Sequence, residues 1–294
     1  MAKVAVVTDN SCGLSINEAE NLGVKMIFIP FLIDGEEYSE DKNLTRELFY
    51  EKLNSSAKVS TSQPSQVIVK DTWDKILQEY DELVYIPLSS GLSSSCQTAE
   101  FLSLNYNGKV QVVNNKRVSV TLKLAVLEAL ELSKQGKSAK EIKQYLERTS
   151  LNSSIYIMVP TLKYLKKGGR ITATAAAIGS LLSIKPVLQI QGDKLDAYAK
   201  VLTIKQAKTK MINAIRKDIE TRFNNIKSNQ HLVLSLAHTC TEMIDIEEFE
   251  KEVKQEFSDY SIVFKDPLPL AIACHIGTGA LAITVTVIDG NIKL

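Results

Sequence analysis

The segment Pro87–Leu102, PLSSGLSSSCQTAEFL, places five serines within seven positions. They stand between an apolar run and a helical pattern, and so crowd one strand-to-helix corner. The first turn of a helix leaves backbone N–H groups unpaired and carries a partial positive charge. Hydroxyls at that point have two uses. They can accept the unpaired N–H groups and cap the helix, or they can donate to an oxygen of a bound carboxylate or phosphate. Ser93 and Ser94 are nearest the expected helix start. A second hydroxyl-rich segment, VSTSQPSQ (59–66), also precedes a helix, with Pro64 near its first turn, where proline fits.

Three further stretches carry polar chemistry or make room for a guest. Lys166-Lys167-Gly168-Gly169-Arg170 reads as a helix C-terminus with favourable basic residues and a glycine cap. The same residues could instead present the Arg170 fork to an anion from a glycine pivot. His275 lies in the apolar run ACHIGTGALA, as a satisfied core residue or as a donor to a carboxylate. The stretch ITATAAAIGSLLSI (171–184) is almost free of large polar groups. Its small residues suit either close helix packing or a long apolar guest. His231 and His238 flank a strand and read as structural. No three histidines share ligand spacing, so no metal is expected. Gly277-Thr278-Gly279 is too short for a phosphate loop, and no cofactor motif is present.

These residues need a scaffold. The chain has 294 residues, 35 Lys and Arg against 34 Asp and Glu, and 45% hydrophobic residues. The length suggests two domains with a substantial core. A net charge of +1 argues against nucleic acid as a partner. Cys12, Cys96, Cys240 and Cys274 form no CxxC pair and read as reduced, as in a cytoplasmic protein. The apolar run before Asp9 is too short for a signal peptide. The longest apolar stretch, 268–288, contains His275, Gly277 and Gly279 and reads as buried strands joined by a turn, with no stable membrane insertion.

Strands are expected at KVAVVTD (3–9), MIFIPFLIDG (26–35, interrupted by Pro30), LVYIPLS (83–89), KVQVVNN and SIYIMVP (154–160). Helices alternate with them, two opened by the capping boxes Ser15–Glu18 and Ser138–Glu141. This order predicts a parallel sheet covered on both faces over residues 1–160. Ligand sites in such sheets lie at the carboxyl ends of the strands, where both TDNSCG (8–13) and the serine corner fall. Residues 161–294 change character. A broken helical stretch, a hairpin at Gly192-Asp193, a charged helix over 204–225 and mainly antiparallel strands suggest an α+β domain. The fold class is therefore α/β, a parallel three-layer domain followed by an α+β domain.

In order along the chain, VVTDNSCGLS, TSQPS (61–65), PLSSGLSSSCQTA (87–99), LKYLKKGGRI (162–171), LLSIKPVL (181–188) and HIGTGALAI (275–283) resemble the DegV family of bacterial fatty-acid-binding proteins. The resemblance implies two α/β domains with the ligand in the cleft between them. It implies a long-chain fatty acid, its chain in an apolar tunnel and its carboxylate held by hydroxyls. By motif position the head-group ligands would be Thr61 and Ser93, with Ser94 close by; Arg170 and His275 match positions lining the same polar end. In members that work with a fatty-acid kinase, the bound acid is presented to that partner, and the binding protein is not itself the catalyst. The chain departs from the family pattern twice. Ser94 stands where glycine is common, and could tighten the head-group site. Leu202, in KVLTIKQA, stands where an arginine is common, which weakens the case for a kinase partner while leaving the acid site untouched.

Two other functions compete. A serine-dependent acyl hydrolase or transferase would use Ser93 with His275, but needs a base within reach and shows no G-x-S-x-G elbow. A sugar-kinase subunit is suggested by similarity of the fold to dihydroxyacetone kinases, which bind a triose through a histidine; the apolar 171–184 stretch favours a longer guest.

Overall fold

The computed structural model describes residues 2–55, 57–178, 184–192, 194–239, 243–290 and 292. The chain divides into two compact units: Met1–Ser150 with Pro269–Ala271 and Ile292–Leu294, and Leu151–Leu268 with Ile272–Asn291.

The strands are β1 (Val4–Asp9), β2 (Lys25–Ile27), β3 (Phe31–Ile33), β4 (Glu36–Tyr38), β5 (Val59–Thr61), β6 (Glu82–Ile86), β7 (Val110–Val112), β8 (Ser153–Met158), β9 (Lys185–Ile190), β10 (Asp196–Val201), β11 (Gln230–His238), β12 (Ser261–Pro267) and β13 (Leu281–Asp289). In the first unit β2-β1-β6-β7 form an all-parallel sheet. Its strands are apolar at nearly every position because both faces are covered. Val4 and Val6 of β1 point to one face, against Leu122, Val126, Ile142 and Leu146 of the helices Val120–Lys134 and Ala139–Arg148. Ala5 and Val7 point to the other, against Val69 and Trp73 of the helix Gln66–Ile76 and Cys96, Ala99 and Leu102 of the helix Ser95–Ser103. The expected three layers are therefore present.

Pro30 does more than interrupt one strand. The run 26–35 divides at it into β2, in the parallel sheet, and β3, at the centre of a small antiparallel sheet β4-β3-β5. Without an N–H, Pro30 cannot continue a ladder; its carbonyl accepts Ser62 N at 3.2 Å.

In the second unit six strands run β10-β9-β8-β13-β11-β12, antiparallel except for β11 and β12. The strand read at 154–160 as the last of the parallel alternation instead pairs antiparallel with β9 and β13. Met211, Ala214 and Ile215 of the helix Ile204–Glu220 and Phe249 and Val253 of the helix Met243–Glu256 share one core with β8, β11 and β13.

One expectation is corrected. The apolar stretch 268–288 is not strands throughout: Leu270–Ile276 is a helix, followed by a glycine turn and β13. A short apolar run does not distinguish buried helix from buried strand. The stretch 163–178 forms two short helices, Lys163–Gly168 and Ala173–Ile178, separated at Gly169; residues 179–183 of that stretch, Asp193 of the expected hairpin and Cys240 lie outside the described residues. Among the described residues no helix is long and apolar enough to cross a membrane, and no cluster of three His, Cys, Asp or Glu suits a metal.

Candidate functional site

The crossover from β1 runs outward to β2, whereas the crossover from β6 runs the opposite way to β7. The carboxyl ends of β1 and β6 therefore flank the point where the winding reverses, and a crevice opens at such a point. Asp9–Ser11 ends β1 and Ser89–Ser95 follows β6, so TDNSCG and the serine corner both lie at these strand ends.

The floor of this corner is tightly bonded. Asp9 is fully buried; its carboxylate accepts Leu88 N at 2.8 Å, Ser11 N at 3.0 Å and the Ser11 hydroxyl. Burial raises its pKa, and these donors oppose the rise. Asn10 accepts Ile29 N at 2.9 Å and donates to Glu40. Ser89 turns the next loop: its carbonyl accepts the N–H of Leu92 at 3.0 Å and of Ser93 at 3.1 Å.

Ser93 and Ser94 differ from five other hydroxyl residues at helix starts. Ser15, Thr45, Ser65, Ser138 and Thr203 each accept the N–H three residues on, the ordinary use of a cap hydroxyl. Ser94, the cap of the helix Ser95–Ser103, is exposed and makes no side-chain cap bond. The half-buried Ser93 Oγ accepts Ser95 N at 3.2 Å. That bond uses an oxygen lone pair and leaves the hydroxyl proton available to an outside acceptor, a proton made more acidic by polarisation at the helix end.

Thr61 is half-buried at the end of β5, paired with Phe31 of β3. Two residues on, Gln63 Oε1 accepts the Thr98 hydroxyl at 3.0 Å. This bond ties the TSQPS segment to the second turn of the helix that Ser93 and Ser94 precede. Ser65 caps the next helix through Ile68 N at 3.2 Å, which assigns that serine of the motif to structure.

The second unit brings Arg170 and His275 together. Gly168 has no side chain because a Cβ there would lie 2.5 Å from His275 Nδ1. Gly169 follows in the left-handed region at φ 68°, where the helix Lys163–Gly168 ends. The Gly-Gly pair thus serves one close approach and one backbone reversal. Arg170 is held by its backbone: its carbonyl accepts Leu195 N at 3.3 Å, and Leu195 O accepts Thr172 N at 2.9 Å. Its guanidinium donates to Gly168 O. Burial, aided by the Arg170 charge, lowers the His275 pKa to about 4. At neutral pH the imidazole is uncharged and Arg170 supplies the positive charge. Downstream, Gly277 at φ 84° lies against the Tyr164 ring, and Thr239 fastens the turn by donating to Gly277 O at 2.6 Å and accepting Ala280 N at 2.9 Å.

Thr61, Ser93 and Ser94 thus belong to one unit, Arg170 and His275 to the other. Leu202 is 66% exposed at the end of β10. Beside it Lys200, Val201, Thr203, Lys205, Gln206, Thr209, Lys210 and Asn213 line a groove of about 610 Å³. Cys12, Cys96 and Cys274 are buried and form no disulfide; burial pushes the Cys12 and Cys96 thiols up to about 12, which leaves them unreactive. Sequence reasoning passed over Asn114, Asn115 and Ser119, whose signal was a polar run directly after the strand KVQVV.

Known proteins are similar to this chain over nearly its full length. A DegV domain-containing protein of Clostridium perfringens is 28% identical over 291 residues, covering 96% of this chain and 97% of its own length. A fatty-acid-binding DegV family protein of Thermus thermophilus superposes with a TM-score of 0.86 at 26% identity, covering 98% of this chain and 100% of that one. A fatty-acid-binding DegV family protein of Streptococcus agalactiae does so at 0.81 and 27%, covering 97% and 99%. The stearic-acid-binding protein of Eubacterium ventriosum, at 23% identity and 0.85, shares the fold. Residues 3–287 match the family described as uncharacterised DegV proteins, and the chain belongs to the DegV family.

Proposed function

We propose that this protein binds a long-chain fatty acid. The hydroxyls of Thr61 and Ser93 hold the carboxylate, and Ser94, Arg170 and His275 complete the polar end. The observation that carries this reading is the hydroxyl pair at the winding reversal. Ser93 and Ser94 stand at a helix N-terminus at the winding reversal; Ser94 makes no cap bond, and among the described residues neither hydroxyl donates to a protein acceptor. A carboxylate taken out of water costs several kcal/mol unless its oxygens are bonded. Two hydroxyl donors, a neutral imidazole N–H and one guanidinium answer that cost. The chain supplies most of the affinity at ~0.8 kcal/mol per buried methylene. Full-length similarity to the Thermus thermophilus and Streptococcus agalactiae fatty-acid-binding proteins supports the same guest.

The protein acts as a carrier and not as a catalyst. A nucleophilic serine sits on a strained turn with a base in contact. Ser93 is not among the described residues with positive φ, and its hydroxyl bonds a backbone amide. Mass spectrometry of lipid extracted from purified protein tests the reading. One fatty acid per chain is expected; protein that is empty in repeated preparations and fails to take up added oleate overturns it.

The same reading extends to handing the acid to a kinase in the cytoplasm. Leu202 removes one cation from the expected docking position. Lys200, Lys205 and Lys210, none of which forms an ion pair among the described residues, keep the neighbouring groove basic.

A further inference from the structure

Several polar atoms behind the head-group corner are buried and unbonded. Ser95 Oγ, Ser119 Oγ, Asn114 Oδ1 and both amide atoms of Asn115 have no hydrogen-bond partner among the described residues. Ser95, Asn115 and Ser119 are 6%, 1% and 5% exposed. Orphaned atoms at that depth are uncommon, because each costs the full desolvation of a polar group.

The backbone brings these residues to one place. Val113 N donates to Tyr85 O at 2.9 Å and extends the pairing of β7 with β6. The loop then crosses the carboxyl end of β6, where Arg117 O accepts Ser89 N at 3.3 Å. It ends over β1, where Ser119 N donates to Ser11 O at 2.9 Å. Ser95 begins the helix packed on β7 and holds the Ser93 hydroxyl through its own N–H.

Ser119 itself is strained. It has φ 55° and ψ −135° and caps the 15-residue helix Val120–Lys134 without a side-chain cap bond. A residue with a Cβ held in this region persists only where its surroundings impose it. Glycine would sit there without strain, so the hydroxyl is what the position retains. No base touches that hydroxyl, so it is not a nucleophile.

The orphaned set mixes donors with acceptors; in the same loop Arg117 Nε is also unbonded, but its guanidinium is already committed to Glu128 and Thr149 O. The mixed set suits a neutral guest that both donates and accepts, which is water. We propose that Ser95, Asn115 and Ser119 enclose a buried water site at the carboxyl ends of β1, β6 and β7, and that Ser119 acts through this water and Ser95 as a positioning residue for Ser93. The water fixes the Ser95 side chain, and the Ser95 backbone N–H fixes the Ser93 hydroxyl toward the ligand. The effect on ligand rests on the fatty-acid reading; the water site does not.

Two variants and two measurements test this. Ser119→Ala removes the hydroxyl and keeps the strain, whereas Ser119→Gly removes both. Each is expected to weaken oleate binding roughly fivefold or more, the loss of about one hydrogen bond. Ser119→Gly is expected to melt above Ser119→Ala. A Ser119→Gly protein that binds oleate as tightly as the parent overturns the positioning role. A parent that binds no oleate sinks the fatty-acid reading instead, and the water site is then judged from a high-resolution crystal structure of the parent. Density for a water bonded to Ser95, Asn115 and Ser119 is expected; direct bonds among those side chains, or an apolar void between them, overturn the site.

Discussion

At the residue scale, serines of similar sequence context divide by where the fold places them. Ser65 and Ser93 each accept one backbone N–H and keep the hydroxyl proton, but Ser65 is the N-cap of the helix Gln66–Ile76, whereas Ser93 follows β6 at the winding reversal, one residue ahead of the cap position. The two alanine variants should therefore separate. Ser65→Ala is expected to lose about 1 kcal/mol of stability, as cap removals do, with fatty-acid affinity changed little. Ser93→Ala is expected to weaken binding by about 10- to 100-fold, the range for a bond to a charged group, with a smaller change in stability. Calorimetric titration and thermal melts on both variants check the contrast; equal losses of affinity would remove the distinction. Gly168 gives a second residue-scale test. A methyl there would overlap His275 Nδ1 at 2.5 Å, so Gly168→Ala must move the ring. The His275 signal followed by NMR is expected to titrate well above about 4 in that variant, because the ring leaves the half-buried place beside Arg170 that lowers its pKa.

At the element scale, what the sequence made legible was what local chemistry decides. The capping boxes at Ser15–Glu18 and Ser138–Glu141 both form as read, because each involves groups within one turn. The parallel sheet follows from apolar runs that end in polar residues. Two features were not legible. The helix Leu270–Ile276 is apolar on all sides, so its period gives no face. The loop after β7 is specified by distant residues. Arg117, 1% exposed, pairs with Glu128 at 3.1 Å and donates to Thr149 O at 2.8 Å, from two different helices. Tyr145 donates to the same Glu128 at 3.2 Å. No local pattern reveals a partner 11 or 32 positions away. This buried pair anchors the loop that carries Asn115 and Ser119. Arg117→Met removes the buried ion pair with Glu128 and the bond to Thr149 O, and is expected to cost about 3 kcal/mol. Adding Glu128→Leu should restore part of that loss, since a buried ion pair replaced at both ends by apolar side chains costs less than one broken at one end. Chemical denaturation of the single and double variants checks this; a double variant as unstable as Arg117→Met alone would contradict it.

At the scale of the whole molecule, the two units carry buried or half-buried titratable groups that respond to acid with opposite sign. His275, in the second unit, has its pKa lowered to about 4 from an ordinary 6.5. An unfolded chain binds a proton at that histidine between those values while the folded chain does not, so stability of the second unit falls as the pH drops from 6.5 toward 4. Asp9 and Glu40, in the first unit, have carboxyl pKa values raised by burial. For them the folded chain takes up protons at a higher pH than the unfolded chain, so acid adds stability above the ordinary carboxyl range, and the contribution fades as the pH rises through the raised values. Lowering the pH from 7 to 5 should therefore loosen the second unit before the first. Hydrogen exchange followed by mass spectrometry, corrected for the intrinsic pH dependence of exchange, resolves the two. Peptides covering β8, β11 and β13 are expected to lose protection at pH 5, while those covering β1 and β6 keep or gain it. His275→Phe should abolish the acid loss in the second unit. Protection that falls equally in both sets of strands, or persists in losing ground after His275→Phe, would place the acid sensitivity elsewhere.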